Sequence, residues 1–198
     1  LGDEKYFWYL DKISIFYATG PIALVLGLLM TKPLSKRFGK RNALIGLTMI
    51  SAVLTIAFYF VPASNFEQIF WLNIVSAFMA GPMPALVWAI YTDVVDYGEW
   101  KFDRRITALT FAAAMFVQKA GLALGGWSVG LLLGYFGYIA NVDQSERSLN
   151  GILLMFSIIP GVLTILSGVI LFWYNIGDDE VENIAIELEE RRKSVSAK

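Results

Sequence analysis

Apolar residues run along this chain in blocks of about twenty, and short charged clusters separate the blocks. Five blocks stand out, roughly at 13–33, 43–62, 69–91, 107–138 and 151–174. A helix rising about 1.5 Å per residue needs roughly 20 apolar residues to cross a hydrocarbon layer about 30 Å thick. The blocks therefore predict five spanning helices of an all-α integral membrane protein, and the fourth is long enough to tilt or project beyond the lipid. Residues 1–12 are too short to span and read as the extracytoplasmic end of a truncated helix or loop. In the tail, 175–198, a helix is predicted over Asp178–Lys193, because Val181, Ile184, Ala185 and Leu188 recur at helical spacing. Asp178, Asp179 and Glu180 open it and Arg191, Arg192 and Lys193 close it, which suits the macrodipole of a surface helix packed under the bundle.

Composition strengthens this picture. Of 198 residues, 57% are hydrophobic and 17% charged, against about 25% charged in soluble domains. Cysteine and histidine are both absent. That removes thiol nucleophiles, disulfides, histidine acid–base chemistry and zinc sites of the usual ligands. No pair of deep carboxylates offers a substitute, so an enzyme is not predicted, and neither a cofactor nor a metal site within this chain is expected.

Basic residues set the expected orientation. Lys32, Lys36, Arg37, Lys40 and Arg41 follow the first block, Lys101, Arg104 and Arg105 the third, and Arg191, Arg192, Lys193 and Lys198 the fifth. If all five blocks span, these twelve share one side, against Lys5, Lys12 and Arg147 on the other. The first side is then cytoplasmic, with the N-terminus outside and the tail inside.

Four features are candidates for function. Lys119 is the only charge between Ile106 and Asp143. A helix starting near Thr107 places it roughly 18 Å deep, near mid-membrane. An ammonium there costs at least about 2.5–3.5 kcal/mol, so it should face a protein interior or a water-filled path. No acid in this chain sits at that depth, so a partner carboxylate must come from elsewhere. Gln118 adjoins it. Just beyond, Gly121 and Gly125, and Gly126, Gly130 and Gly134, lie four apart, a spacing that lets helix backbones pack closely. Pro82 and Pro84 interrupt the third block and should free carbonyls near Phe78 and Ala80, either to bend the helix or to meet a polar solute or cation. Finally, Asp93, Asp96 and Glu99 are three apart, with Arg104 and Arg105 close behind. On continued helix they share roughly one face, from which they either are simply solvated or pair with basic loops and latch the cytoplasmic ends.

Taken together, these segments resemble the glycoside–pentoside–hexuronide:cation symporters, the melibiose-permease family of the major facilitator superfamily. The resemblance rests on Asp93–Lys101 (DVVDYGEWK), an Arg at 104 or 105, Phe116–Gly121 (FVQKAG) and Gly134–Tyr138 (GYFGY), and extends over nearly the whole chain. Met115 and Thr107-Ala108 depart from the family pattern. The resemblance implies the last five of twelve helices of a bacterial inner-membrane symporter, moving a sugar-like solute with Na⁺ or H⁺ by alternating access. It further implies that the cation-binding carboxylates lie in the missing N-terminal half of the same chain. Lys119 would then lie beside the shared site, and Asp93, Asp96, Glu99, Arg104 and Arg105 would form a cytoplasmic gate. Expected partners are the solute, a monovalent cation, that missing half and the lipid bilayer, but not nucleic acid. A transporter of another solute on the same scaffold, such as a lysolipid, or a non-transporting membrane subunit, stays open as an alternative.

Overall fold

The computed structural model describes residues 3–62, 64–104 and 106–196. Among them there is helix and no strand: α1 (Asp3–Leu28), α2 (Thr31–Phe38), α3 (Lys40–Ala57), α4 (Phe66–Ala80), α5 (Met83–Phe102), α6 (Thr107–Tyr135), α7 (Glu146–Phe156), α8 (Ile158–Ile170) and α9 (Asp178–Ser196). Four helical stretches are long and apolar enough to cross a membrane, namely Lys40–Phe60, Phe66–Phe102, Thr107–Tyr135 and Glu146–Trp173. A fifth is reached if α1 from Lys12 and α2 count as one span bent by 43°. Residues 3–12 are not a separate piece but the start of the same helix as the first apolar block.

The predicted blocks are interrupted where the sequence carries helix breakers. Between α4 and α5 the chain turns at Gly81-Pro82, with Pro82 at the N-cap of α5 and Pro84 in its first turn. Proline suits those positions because the first helical amides lack intrahelical partners anyway. The expected free carbonyl at Phe78 is not free, however, because the Gly81 N–H reaches both Ala77 O at 3.1 Å and Phe78 O at 3.3 Å. Tightening the last turn of α4 in this way satisfies the group that the proline would strand. α7 and α8 part at Ser157, three residues before Pro160. α5 runs on to Phe102, well past the predicted border near Tyr91, and stops at Asp103, which adopts the left-handed conformation (φ 51°, ψ 26°) that short polar side chains tolerate.

At the centre of the bundle, α3 is packed along α8, α4 and α5, while α1 lies along α4. Ala43, Leu44 and Leu47 of α3 form the core with Leu86 and Ile90 of α5, and Leu34, Leu171 and Tyr174 close over it. The α1–α4 contact depends on Gly27 and Gly81. A Cβ on Gly27 would land on the Phe78 carbonyl, and one on Gly81 on the Leu24 carbonyl. Backbone thus meets backbone where the third span breaks, a small-residue contact of the kind that packs membrane helices.

α6 is built differently. It has no buried residue, although it is 29 residues long and carries a single charge, Lys119.

Candidate functional site

The charged groups gather where the N-terminus of α3, the second half of α5 and the tail helix α9 meet. α5 continues as helix through Asp93, Asp96 and Glu99, yet these acids do not act alike. Asp93 is buried, and its Oδ2 lies 2.5 Å from Lys40 Nζ. Lys40 is held a second way, for its backbone N–H donates to Asp178 Oδ2 at 2.9 Å, while Asp178 Oδ1 stands 4.0 Å from its ammonium. Asp178, the first residue of α9, therefore caps the first turn of α3 from another helix, supplying an acceptor to an otherwise orphan amide and a negative charge at the positive helix end. Gly39 makes room for this cap. Its φ of 79° favours glycine, and a Cβ there would strike the Asp178 carboxylate.

Glu99 meets the far end of α9. Arg192 Nη2 donates to both carboxylate oxygens, at 3.0 and 2.9 Å. Beside it, Arg191 Nη1 donates to Asp103 Oδ1 at 2.9 Å and to the Trp100 carbonyl at 3.3 Å. Trp100 Nε1 in turn donates to Glu187 Oε2 at 2.6 Å. Ile184 and Leu188 bury the apolar stripe of α9, Val181 is half-buried, and Ala185, expected on that stripe, is exposed. The tail is thus fixed at both ends, by Asp178 to α3 and by Arg191 and Arg192 to α5.

Not every sequence candidate joins this arrangement. Asp96 is half-buried and Arg104 exposed, and among the described residues neither has an ion-pair partner within 4.0 Å. Arg105 lies outside the described residues. Lys119 and Gln118 are exposed on α6, roughly 18 Å along the helix from Thr107. Among the described residues no carboxylate lies within 4.0 Å of Lys119, and no group of three or more acids could hold a metal ion. The glycines at 121, 125, 126, 130 and 134 face open space, for a Cβ at any of them meets nothing within 4 Å. Among the described residues they pack on nothing.

Sequence reasoning missed one joint of the site and one contact of the fold. In the sequence Lys40 is a loop cation and Asp178 a macrodipole acid, and nothing in linear spacing joins residues 138 positions apart. Gly27 and Gly81 carried a usable signal, because a glycine inside an apolar block is a common sign of close helix approach.

Comparison with known proteins covers nearly the same length. The pattern of the MFS/sugar transport protein family matches residues 6–178. An uncharacterized 29.9 kDa protein of Pseudescherichia vulneris is 32% identical over 190 residues, which are 93% of this chain and 70% of that one. The uncharacterized symporter YnaJ of Bacillus subtilis is 32% identical over 185 residues, covering 92% of this chain and 40% of its own length. The putative glycoside/cation symporter YagG of Escherichia coli is 32% identical over 178 residues, covering 89% and 39%. The chain therefore spans about two-fifths of these symporters.

Proposed function

The chain belongs to the MFS/sugar transport protein family, and from that membership we propose that it supplies the C-terminal part of a secondary active symporter, which moves a sugar or glycoside-like solute with Na⁺ or H⁺ by alternating access. α6 is the observation that carries the reading. A 29-residue apolar helix with no buried residue, a lysine at its middle and glycines facing open space is a surface made to be covered. Substrate sites in this superfamily lie near mid-membrane between two halves, and a lysine on such a seam has a use that lipid does not offer it. The names of the symporter relatives point the same way.

In this reading Lys119 faces carboxylates of the other half and Gln118 lies close to the solute. Cation binding to those carboxylates changes the partner available to Lys119, and this couples ion occupancy to closure. The glycines let the covering helices approach and slide. The clasp of α3, α5 and α9 lies at the cytoplasmic end, with the N-terminus outside. Asp93, Asp96 and Glu99, with Arg104 and Arg105, hold the state closed to the cytoplasm.

Uptake measurements in the complete transporter that carries this segment test the reading. Proteoliposomes should accumulate a labelled glycoside when a Na⁺ or H⁺ gradient is imposed, and Lys119→Ala should abolish that stimulation. Cation-stimulated uptake with unchanged ion affinity in Lys119→Ala overturns the role of the lysine. Turnover of the solute without uptake overturns transport itself.

A further inference from the structure

The basic cluster that follows α1 divides into two sets. Lys40 and Arg41 are spent inside the protein: Lys40 on Asp93 and Asp178, and Arg41 on the Phe172 carbonyl at 2.7 Å. The other three sit on α2, and all of them are exposed. Among the described residues no carboxylate lies within 4.0 Å of Lys32, Lys36 or Arg37. α2 is oriented by its own apolar side, where Leu34 packs against the core. Its axis departs from that of α1 by 43°, so α2 does not continue the line of α1. Phe38 closes α2, 53% exposed, with the Arg37 guanidinium 5.5 Å from its ring centroid. An eight-residue helix with a core-facing leucine, three outward cations and an exposed aromatic at its end has the composition of a segment lying at headgroup level.

We propose that Lys32, Lys36 and Arg37 of α2 form a binding site for the headgroup of an anionic phospholipid, with Phe38 against the upper acyl chain. Charge complementarity selects the occupant. Three cations with no carboxylate partner among the described residues suit a phosphate in a headgroup carrying net negative charge, and a zwitterionic headgroup would bring a cation of its own into the same field. Asp178 and Asp179 line the neighbouring groove with Ser35, Lys36 and Lys40, and their charge turns a phosphate away from that groove and onto the outward face. The inference requires a membrane protein but not a symporter, so its failure would leave the transport reading untouched.

Lipid binding to the detergent-solubilised protein, followed by native mass spectrometry, provides the test. Phosphatidylglycerol should bind more tightly than phosphatidylcholine. Each basic residue near a membrane surface contributes about a fivefold change in affinity, so Lys32→Gln/Lys36→Gln/Arg37→Gln should lose up to about a hundredfold for phosphatidylglycerol and almost nothing for phosphatidylcholine. Lys32→Arg/Lys36→Arg/Arg37→Lys keeps the charge and should retain binding, which separates the site from any effect on folding. Lys101→Gln, at an exposed cation of α5, should leave the affinity unchanged. Equal loss from Lys101→Gln would reduce the site to general attraction and overturn it. So would an unaffected triple glutamine variant, or displacement of the lipid by inorganic phosphate at matching concentration.

Discussion

Removing the charge of Lys40 should damage the fold more than removing the charge of Asp93, although the two form one ion pair. The pair is largely withdrawn from solvent, with side-chain exposures of 23% for Lys40 and 10% for Asp93. At 2.5 Å and an effective dielectric of about 20 its gross attraction is about 7 kcal/mol. Desolvation offsets much of that, and loss of one partner from a buried pair costs about 3–5 kcal/mol. The asymmetry comes from Asp178. Asp93→Asn leaves Lys40 with a carboxylate at 4.0 Å, a gross attraction of about 4 kcal/mol at the same dielectric. We expect that variant to lose only about 1–2 kcal/mol, because the ammonium keeps a partner. Lys40→Met leaves Asp93 and Asp178 flanking an empty position with no cation between them, and should lose the full 3–5 kcal/mol or so. Adding Asp93→Asn to Lys40→Met should then recover stability, since one of the two stranded charges is gone. Unfolding titrations in mixed micelles, read by tryptophan fluorescence from the six tryptophans, give the three free energies. If Asp93→Asn proves as costly as Lys40→Met, or if the double variant is worse than Lys40→Met, Asp178 is not the shared partner.

At the α1–α4 contact, Gly27→Ala should destabilise by about 1–3 kcal/mol, because its methyl meets the Phe78 backbone, which cannot yield as a side chain would. Gly126→Ala on α6 should leave the stability of this chain within about 0.5 kcal/mol of wild type, and the same unfolding titration compares the two. Arg192→Gln removes an ion pair whose arginine is 50% exposed and should cost no more than about 1 kcal/mol globally. Its effect should appear locally, as faster amide hydrogen exchange in the last turns of α9. Unchanged exchange there would mean that burial of Ile184 and Leu188 alone holds the tail.

Helix positions were legible to the extent that they follow from apolar length. Blocks of about twenty apolar residues have few other stable forms, because backbone amides in lipid must bond within their own segment. Breaks were legible in part. Pro82 marked where α4 and α5 part, but proline alone does not say whether a stranded carbonyl finds another donor, and Gly81 supplied one to Phe78. The acidic run was legible as a charged face. Its division was not, since Asp93, Asp96 and Glu99 have equal spacing and differ only in what stands opposite each of them.

The sequence by itself determined the all-helical membrane class, the lone cation of α6, and the absence of side chains for thiol or imidazole chemistry. Each of these depends on composition and local periodicity, which need no knowledge of neighbours. Tertiary structure alone decided which charges are satisfied. It joined Lys40 to Asp93 and, across 138 positions of chain, to Asp178, left Lys32, Lys36 and Arg37 facing outward, and kept α6 without a buried residue. The physical reason is common to all three: an ion pair or a packed glycine is a property of two surfaces, and the chain order specifies only one of them at a time.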